Sequence, residues 1–154
     1  MGKNETIRIS ENHHEVHTEI IIAAASDDVW AVLTDFASMP VWSPSFKGIF
    51  GAFSDGAKVV TRFDLGEGEE EYSATLKLQE GLAFGWSEDY GGIRDNHAYR
   101  VEAIEDARTR FIQTDVFEGQ ADWATTEELA ELYFEQYVEF NDALKAECER
   151  RYSR

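Results

Sequence analysis

Apolar residues recur every three or four positions between Thr126 and Arg151, and this spacing predicts one long amphipathic helix. Thr125 and Glu128 fit a capping box at its start. A helix of about 25 residues extends roughly 37 Å, long enough to lie across an entire sheet. The predicted buried face carries Leu129, Leu132, Tyr133, Tyr137, Phe140, Leu144 and Cys148.

The upstream part of the chain alternates between apolar and polar residues in short segments, which predicts β-strands. A first strand begins near His14, and a helix follows with Ser26 as its N-cap and Pro40 as its end. A short helical turn fits between Pro40 and Pro44. Glycine and aspartate turn signals favour antiparallel hairpins between the later strands. Six further strands are predicted at residues 46–53, 58–65, 71–79, 82–88, 96–104 and 109–117.

Two hairpin turns predict which residues of neighbouring strands face each other. A turn near Glu80 and Gly81 places Leu76 opposite Phe84. A three-residue turn at 105–107 aligns three inward pairs in the last hairpin: Val101 with Phe111, Tyr99 with Gln113, and His97 with Asp115. An unpartnered buried histidine or carboxylate is costly. His97 and Asp115 therefore either form a hydrogen bond with each other or border a cavity.

Length and charge narrow the possible functions. The 154 residues fit one domain, with residues 1–12 predicted as a flexible tail and residues 13–154 as the domain. The 31 acidic and 14 basic residues give a net charge of −17, which repels nucleic acids and anionic membrane surfaces. The chain has a single cysteine and no stretch that resembles a signal peptide or membrane span, so we expect a cytoplasmic protein.

No metal or cofactor site is expected. The histidines His13, His14 and His17 lack the His-Glu-x-x-His spacing, and strand geometry points His14 and His17 to opposite faces. The glycine pairs are not followed by a helix start, as a phosphate-binding loop requires. Cys148 lies on the apolar face of the last predicted helix, so we expect it to be buried like a small hydrophobic residue.

Several segments carry a family resemblance, together with the order of the predicted elements. They are the run at 20–36, the turn Pro40-Val41-Trp42-Ser43-Pro44, Trp86, and the segments at 97–102, 108–111, 117–119 and 140–145. These motifs resemble the SRPBCC superfamily, which includes START lipid-transfer domains, polyketide cyclases/dehydrases and ATPase-activator domains. The resemblance covers residues 14 to 151 and is nearest to uncharacterised bacterial SRPBCC-domain proteins. It implies an α+β helix-grip fold, in which a curved seven-stranded antiparallel sheet wraps the C-terminal helix and encloses a cavity.

In this architecture, aromatic side chains converge between the sheet and the last helix. Aromatic residues commonly fill cores, but Gln113 and three tyrosines among them favour a cavity for an apolar ligand, with His97 and Asp115 as polar anchors. The converging aromatic residues are Trp42, Phe84, Trp86, Tyr99, Phe111, Tyr133, Tyr137 and Phe140.

The sequence therefore leaves three functions open. The first is binding, with or without transport, of a small hydrophobic or aromatic molecule. The second is a polyketide cyclase or dehydratase, in which His97 moves a proton and Asp115 orients it. The third is a protein-interaction module like the ATPase activators. The oligomeric state, monomer or dimer, is not determined by the sequence.

Overall fold

A computed structural model describes residues 3–152 of the protein. Residues 1, 2, 153 and 154, which belong to the predicted tail and domain, lie outside the described residues. In this part of the chain no helix has the length and hydrophobicity needed to cross a bilayer. The elements are β1 (Glu5–Ser10), β2 (His13–Ile22), α1 (Ser26–Leu33), α2 (Met39–Trp42), β3 (Phe46–Phe50), β4 (Lys58–Asp64), β5 (Glu69–Gln79), β6 (Ala83–Asp89), β7 (Ile93–Glu105), β8 (Arg108–Gly119) and α3 (Thr126–Tyr152).

The strands form one antiparallel sheet in the order β1-β2-β8-β7-β6-β5-β4-β3, and α3 packs mainly against β2 and β8. This is the α+β helix-grip architecture that the resemblance implied, with eight strands instead of seven. The additional strand is β1, which corrects the prediction that residues 1–12 are a flexible tail. Backbone pairing with β2 holds this mostly exposed edge strand. Its sequence alternates only over a short stretch, with Ile7 and Ile9 between polar residues, and Ile9 is 54% exposed, so the pattern is weaker than that of a buried strand.

The helices begin and end close to the predicted positions. Both arms of the capping box form at the start of α3, because Glu128 N donates to Thr125 Oγ1 and Thr125 N donates to Glu128 Oε1. Ser26 is the first helical residue and Ala25 is the N-cap, which corrects the predicted cap by one position. Leu132 was predicted on the buried face of α3 but is 48% exposed, while the polar Asn141 is buried instead.

Strand register confirms one predicted hairpin and corrects the other. In β7 and β8 the predicted partners His97 and Asp115 lie directly opposite each other. In β5 and β6, Leu76 lies opposite Trp86 instead of Phe84. Gln79 pairs with Ala83, so three residues form the turn and the register moves by two positions. A shift of two keeps every side chain on its predicted face.

The space between the sheet and α3 contains two apolar clusters separated by polar residues. The larger cluster is formed around α1, α2 and the C-terminal half of α3. The smaller one lies under the N-terminal half of α3 and includes Ile93, Phe117 and Leu129. Buried between these levels are the side chains of Thr18, Asp95, His97, Gln113, Asp115 and Asn141. The fold therefore buries a polar layer in the middle of its core.

Close contact between β6 and β7 depends on the absence of a side chain at Gly85. A Cβ atom there would collide with the backbone carbonyl oxygen of His97 and lie 3.0 Å from the Cα atom of Ala98. The strand that carries His97 can thus approach β6 only because residue 85 is glycine.

We expect Gly85→Ala to lower the free energy of unfolding by about 2 kcal/mol or more, because the new methyl group pushes backbone against backbone. Urea denaturation measures this change. Ser87→Ala, at an exposed position of the same strand, is the matched control and should change stability by less than about 0.5 kcal/mol. Equal stabilities of Gly85→Ala and the wild type would contradict the packing described here.

Candidate functional site

A pocket opens between the sheet and the N-terminal half of α3. Its floor is formed by the buried side chains of Trp86, Asp95, His97 and Tyr137. Its cavity measures about 30 Å³, enough for roughly two water molecules. The half-buried or exposed residues around the mouth are Phe63, Leu65, Glu70, Tyr72, Tyr90 and Tyr133.

A chain of side-chain hydrogen bonds across the core orients His97. Gln113 Nε2 donates to Asn141 Oδ1 at 2.9 Å, so the other amide atom, Gln113 Oε1, accepts from His97 Nε2 at 2.8 Å. Asn141 Nδ2 donates in turn to Thr18 Oγ1 at 2.8 Å. This arrangement places the histidine proton on Nε2 and leaves the Nδ1 lone pair free.

Asp115 and Asp95 form a buried pair of carboxyl groups beside this histidine. Tyr137 donates its hydroxyl to Asp115 Oδ2 at 2.5 Å. The carboxyl of Asp95 lies close enough to that of Asp115 for a hydrogen bond between them, which requires a proton on one of the two. Apart from the proton that the two carboxyls share, no donor group within residues 3–152 reaches Oδ1 of either one.

Burial controls the ionisation of these groups. It lowers the pKa of His97 to about 4, although the bond to Gln113 acts in the opposite direction. It raises the pKa of Asp115 well above its ordinary value, and the charge of Asp95 raises it further. Burial also raises the pKa of Asp95. At neutral pH the site therefore contains a neutral imidazole with a free lone pair beside a carboxyl pair that retains a proton.

The family model described as polyketide cyclase/dehydrase and lipid transport matches residues 13–149. The chain belongs to this family. No curated protein matches the chain by sequence. The family match includes the whole pocket and all of the sheet except β1.

Solved structures of other proteins share the fold of this polyketide cyclase/dehydrase family member at low sequence identity. The Zhui aromatase/cyclase of a Streptomyces species is 19% identical, with a TM-score of 0.73 over 90% of this chain and 95% of that one. A START superfamily protein of Mycobacterium smegmatis is 14% identical, with a TM-score of 0.71 over 89% of this chain and 98% of that one. The di-domain aromatase/cyclase StfQ of the steffimycin biosynthetic pathway is 9% identical, with a TM-score of 0.71 over 92% of this chain and 52% of that one.

The eleven predicted site residues occupy three different places in this family member. Trp86, His97, Tyr133 and Tyr137 line the pocket. Gln113 and Asp115 lie behind its floor, where they contact His97 and Tyr137. The other five pack with the larger apolar cluster: Trp42, Phe84, Tyr99, Phe111 and Phe140. Close ring contacts, such as 4.8 Å between the centroids of Phe84 and Tyr99, fill that region with side chains. The ligand-binding roles of all eleven stay predictions.

Of the two alternatives predicted for His97 and Asp115, the hydrogen bond between them is not present, and His97 borders the pocket. The two residues are opposite in the sheet, but His97 Nδ1 lies 3.9 Å from Asp115 Oδ2, beyond hydrogen-bonding distance. Each residue instead bonds to another neighbour, His97 to Gln113 and Asp115 to Tyr137. Tyr137 and Asn141 belong to the helix α3. The choice of hydrogen-bond partners for His97 and Asp115 therefore depends on an element distant in sequence.

Asp95 and Tyr90, which belong to the acidic and phenolic side of the pocket, were not among the site residues predicted from the sequence. Asp95 lies two residues before His97, so strand alternation places both on the inner face. The predicted strand began at residue 96, and this boundary left Asp95 in a turn. Extending the alternation by one period would have placed it in the site.

The remaining histidines and the cysteine lie away from the pocket. His13 and His17 contact Glu15 and Glu19 along β2, at 2.9 Å and 2.7 Å. His14 points to the other face, as predicted, and its Nδ1 lies 2.7 Å from Thr126 Oγ1. Cys148 is buried in the larger apolar cluster, where burial raises its pKa to about 12. Among residues 3–152, no group of three or more acidic, histidine or cysteine side chains is arranged to hold a metal.

The raised pKa of Asp115 predicts how stability depends on pH. The folded protein keeps this proton at pH values where the unfolded chain has released it, so the folded state binds more protons. The contribution of Asp115 to the free energy of unfolding should therefore decrease as pH rises from about 4 towards the raised pKa, by up to about 1.4 kcal/mol per pH unit. The lowered pKa of His97 contributes with the opposite sign between pH values of about 4 and 6.5, so the Asp115 contribution is read from the difference between the wild type and a variant without this carboxyl.

Asp115→Asn removes this titrating group, so the variant should gain stability relative to the wild type as pH rises. Urea denaturation at a series of pH values measures the difference. Asp106→Asn, in the exposed turn between β7 and β8, is the matched control and should follow the wild type. Parallel curves for Asp115→Asn and the wild type would show that Asp115 is ionised in the folded protein.

Proposed function

We propose that the protein binds a small hydrophobic or aromatic molecule in the pocket between the sheet and α3, and that this binding can serve transport. The observation that supports it most directly is a concave site with aromatic walls and a buried polar floor. Sites of this composition are typical for small molecules, since the walls supply contact area and a few polar groups fix orientation. The family description, which names lipid transport, agrees with this proposal.

The groups at the floor determine which part of the ligand points inwards. Asp95 lies in the floor, and apart from the proton shared with Asp115 its Oδ1 receives no donor from the described residues. A ligand group that donates a hydrogen bond to the carboxyl of Asp95 reduces the cost of an unpaired buried acceptor, which is about 1–3 kcal/mol. The ring of Tyr133 stacks on Tyr137 and on Phe117, with centroids 5.8 and 5.6 Å away, and adds aromatic surface at the mouth. A ligand with an aromatic body and a polar end therefore fits.

Titration of isotope-labelled protein with naphthol, followed by NMR, tests the proposal. The amide signals of Asp95, His97 and Tyr133 should shift, while those of α1 should not. Tyr133→Ala should weaken binding about tenfold because an aromatic wall is lost. Leu132→Ala, the exposed neighbour on α3, should bind within about twofold of the wild type. Shifts scattered over the surface, or unchanged binding by Tyr133→Ala, would count against this site.

Acid–base catalysis is the second candidate function, and the protonation states of His97 and the carboxyl pair favour it. In the dehydration of a β-hydroxy ketone, a base removes the proton next to the carbonyl, a carbon–carbon double bond forms, and the hydroxyl leaves as water after an acid protonates it. The free Nδ1 of His97 suits the first role. The protonated carboxyl pair suits the second.

A β-hydroxy ketone carrying a phenyl ring provides a direct assay, because its dehydration forms a conjugated enone that absorbs ultraviolet light. If the protein is an enzyme, His97→Gln and Asp115→Asn should each lower kcat by about 100-fold or more. Asp106→Asn should leave kcat unchanged. A wild-type rate equal to that of buffer, or variants as active as the wild type, would remove this candidate and leave the binding role.

A further inference from the structure

The charged residues that line the pocket are acidic. Asp95 forms part of the floor, and Glu70 lies at the mouth, where Tyr72 donates its hydroxyl to Glu70 Oε2 at 2.7 Å. Lysine and arginine are absent from the lining. The pocket thus presents carboxyl and phenolic oxygens to a ligand but offers it no positive group.

The arginines on neighbouring strands already contact other acidic residues. Arg62 Nη2 lies 2.7 Å from Glu71 Oε2, and its guanidinium also covers the ring of Phe50 at 4.2 Å. Arg94 Nη2 lies 3.1 Å from Glu118 Oε1. Asp95 is 7% exposed, and apart from the proton shared with Asp115 its Oδ1 has no hydrogen-bond donor in the described part of the chain. A ligand that donates a hydrogen bond would satisfy this buried acceptor.

The walls of the pocket suit a cation. Four tyrosines line it, Tyr72 and Tyr90 from the sheet and Tyr133 and Tyr137 from α3, and the ring centroids within each pair are 5.8 Å apart. Aromatic faces attract ammonium groups, and the attraction increases when water is excluded. The rings of Tyr133 and Tyr137 already stack on Phe117 and His97, which leaves this role to the rings from the sheet. The net charge of −17 further raises the concentration of cations near the protein.

The volume of the cavity limits which cations fit into it. The cavity of about 30 Å³ accommodates a group the size of one or two water molecules, which is the size of a primary ammonium and its first methylene. An apolar body attached to the ammonium therefore lies at the mouth, where Leu65 is 37% exposed. A quaternary ammonium is larger than the cavity.

We propose that the pocket recognises a primary ammonium carried by an aromatic or alkyl body, with the ammonium donating to Asp95 Oδ1 and the body lying against Tyr72 and Tyr133. This inference rests on the proposed binding function and narrows its ligand class. The positive group supplies what the lining lacks, because it brings hydrogen-bond donors and opposite charge to a buried carboxyl.

Calorimetric titration of the full chain with two compounds of matched shape tests the inference. Phenethylammonium carries the positive group, and phenethyl alcohol is its neutral counterpart. At neutral pH the ammonium should bind at least about tenfold more tightly than the alcohol, as expected for a charge-assisted hydrogen bond to a buried carboxyl. Asp95→Asn should remove this preference and change the affinity for the alcohol by less than about twofold. Asp106→Asn removes the same charge from an exposed turn and should keep the preference.

A second variant keeps the test decisive if Asp95→Asn does not fold. Glu70→Gln changes an exposed residue at the mouth and should reduce the preference about threefold, since its carboxylate acts on the ammonium through solvent. Equal or weaker binding of the ammonium to the wild type would overturn the inference, as would a full preference in both variants. Binding of neither compound would also overturn it, and the naphthol titration then decides separately whether the proposed binding function stands.

Discussion

The structure depends on a polar layer buried between the sheet and α3. Removing these polar groups from water is costly unless each finds a partner, so β7, β8, β2 and α3 must meet in one arrangement. The chain from His97 through Gln113 and Asn141 to Thr18 satisfies this requirement with bonds of 2.8 to 2.9 Å. Three strands and the helix are thereby held in register around the site.

The carboxyl pair beside this chain is the exception. Apart from the proton that they share, Asp95 and Asp115 each keep one buried oxygen without a donor among the described residues. Burying carboxyls without full pairing favours their protonated forms, which explains both raised pKa values. Incomplete satisfaction is costly for stability, and such groups concentrate at functional sites. The contrast between the satisfied chain and the unsatisfied pair is therefore the physical basis for placing the site here.

The packed half of the interior limits where a ligand can lie. Phe46, Phe84 and Tyr99 stack with ring centroids about 5 Å apart, and Trp42 packs on Phe140 at 5.4 Å. The helix-grip fold hosts different ligands in different proteins, so its presence says little about what is bound. In this chain, side chains that the fold does not specify fill one end of the interior and leave a small acidic and phenolic pocket at the other. The side chains of that pocket determine which kind of ligand the protein can bind.

The sequence by itself determined the elements, most strand faces and the pairing of His97 with Asp115, because periodicity and turn length act over a few residues. It did not reveal the edge strand β1, which is held by backbone bonds, or the inward position of Asp95, which lay outside the predicted strand. Only the tertiary structure decided that His97 bonds to Gln113 and Asp115 to Tyr137. Those choices depend on α3, which follows β8 in the chain and brings Tyr137 and Asn141 into the core. Cavity volume and pKa likewise depend on how side chains from distant segments exclude water, and no local pattern of residues encodes that.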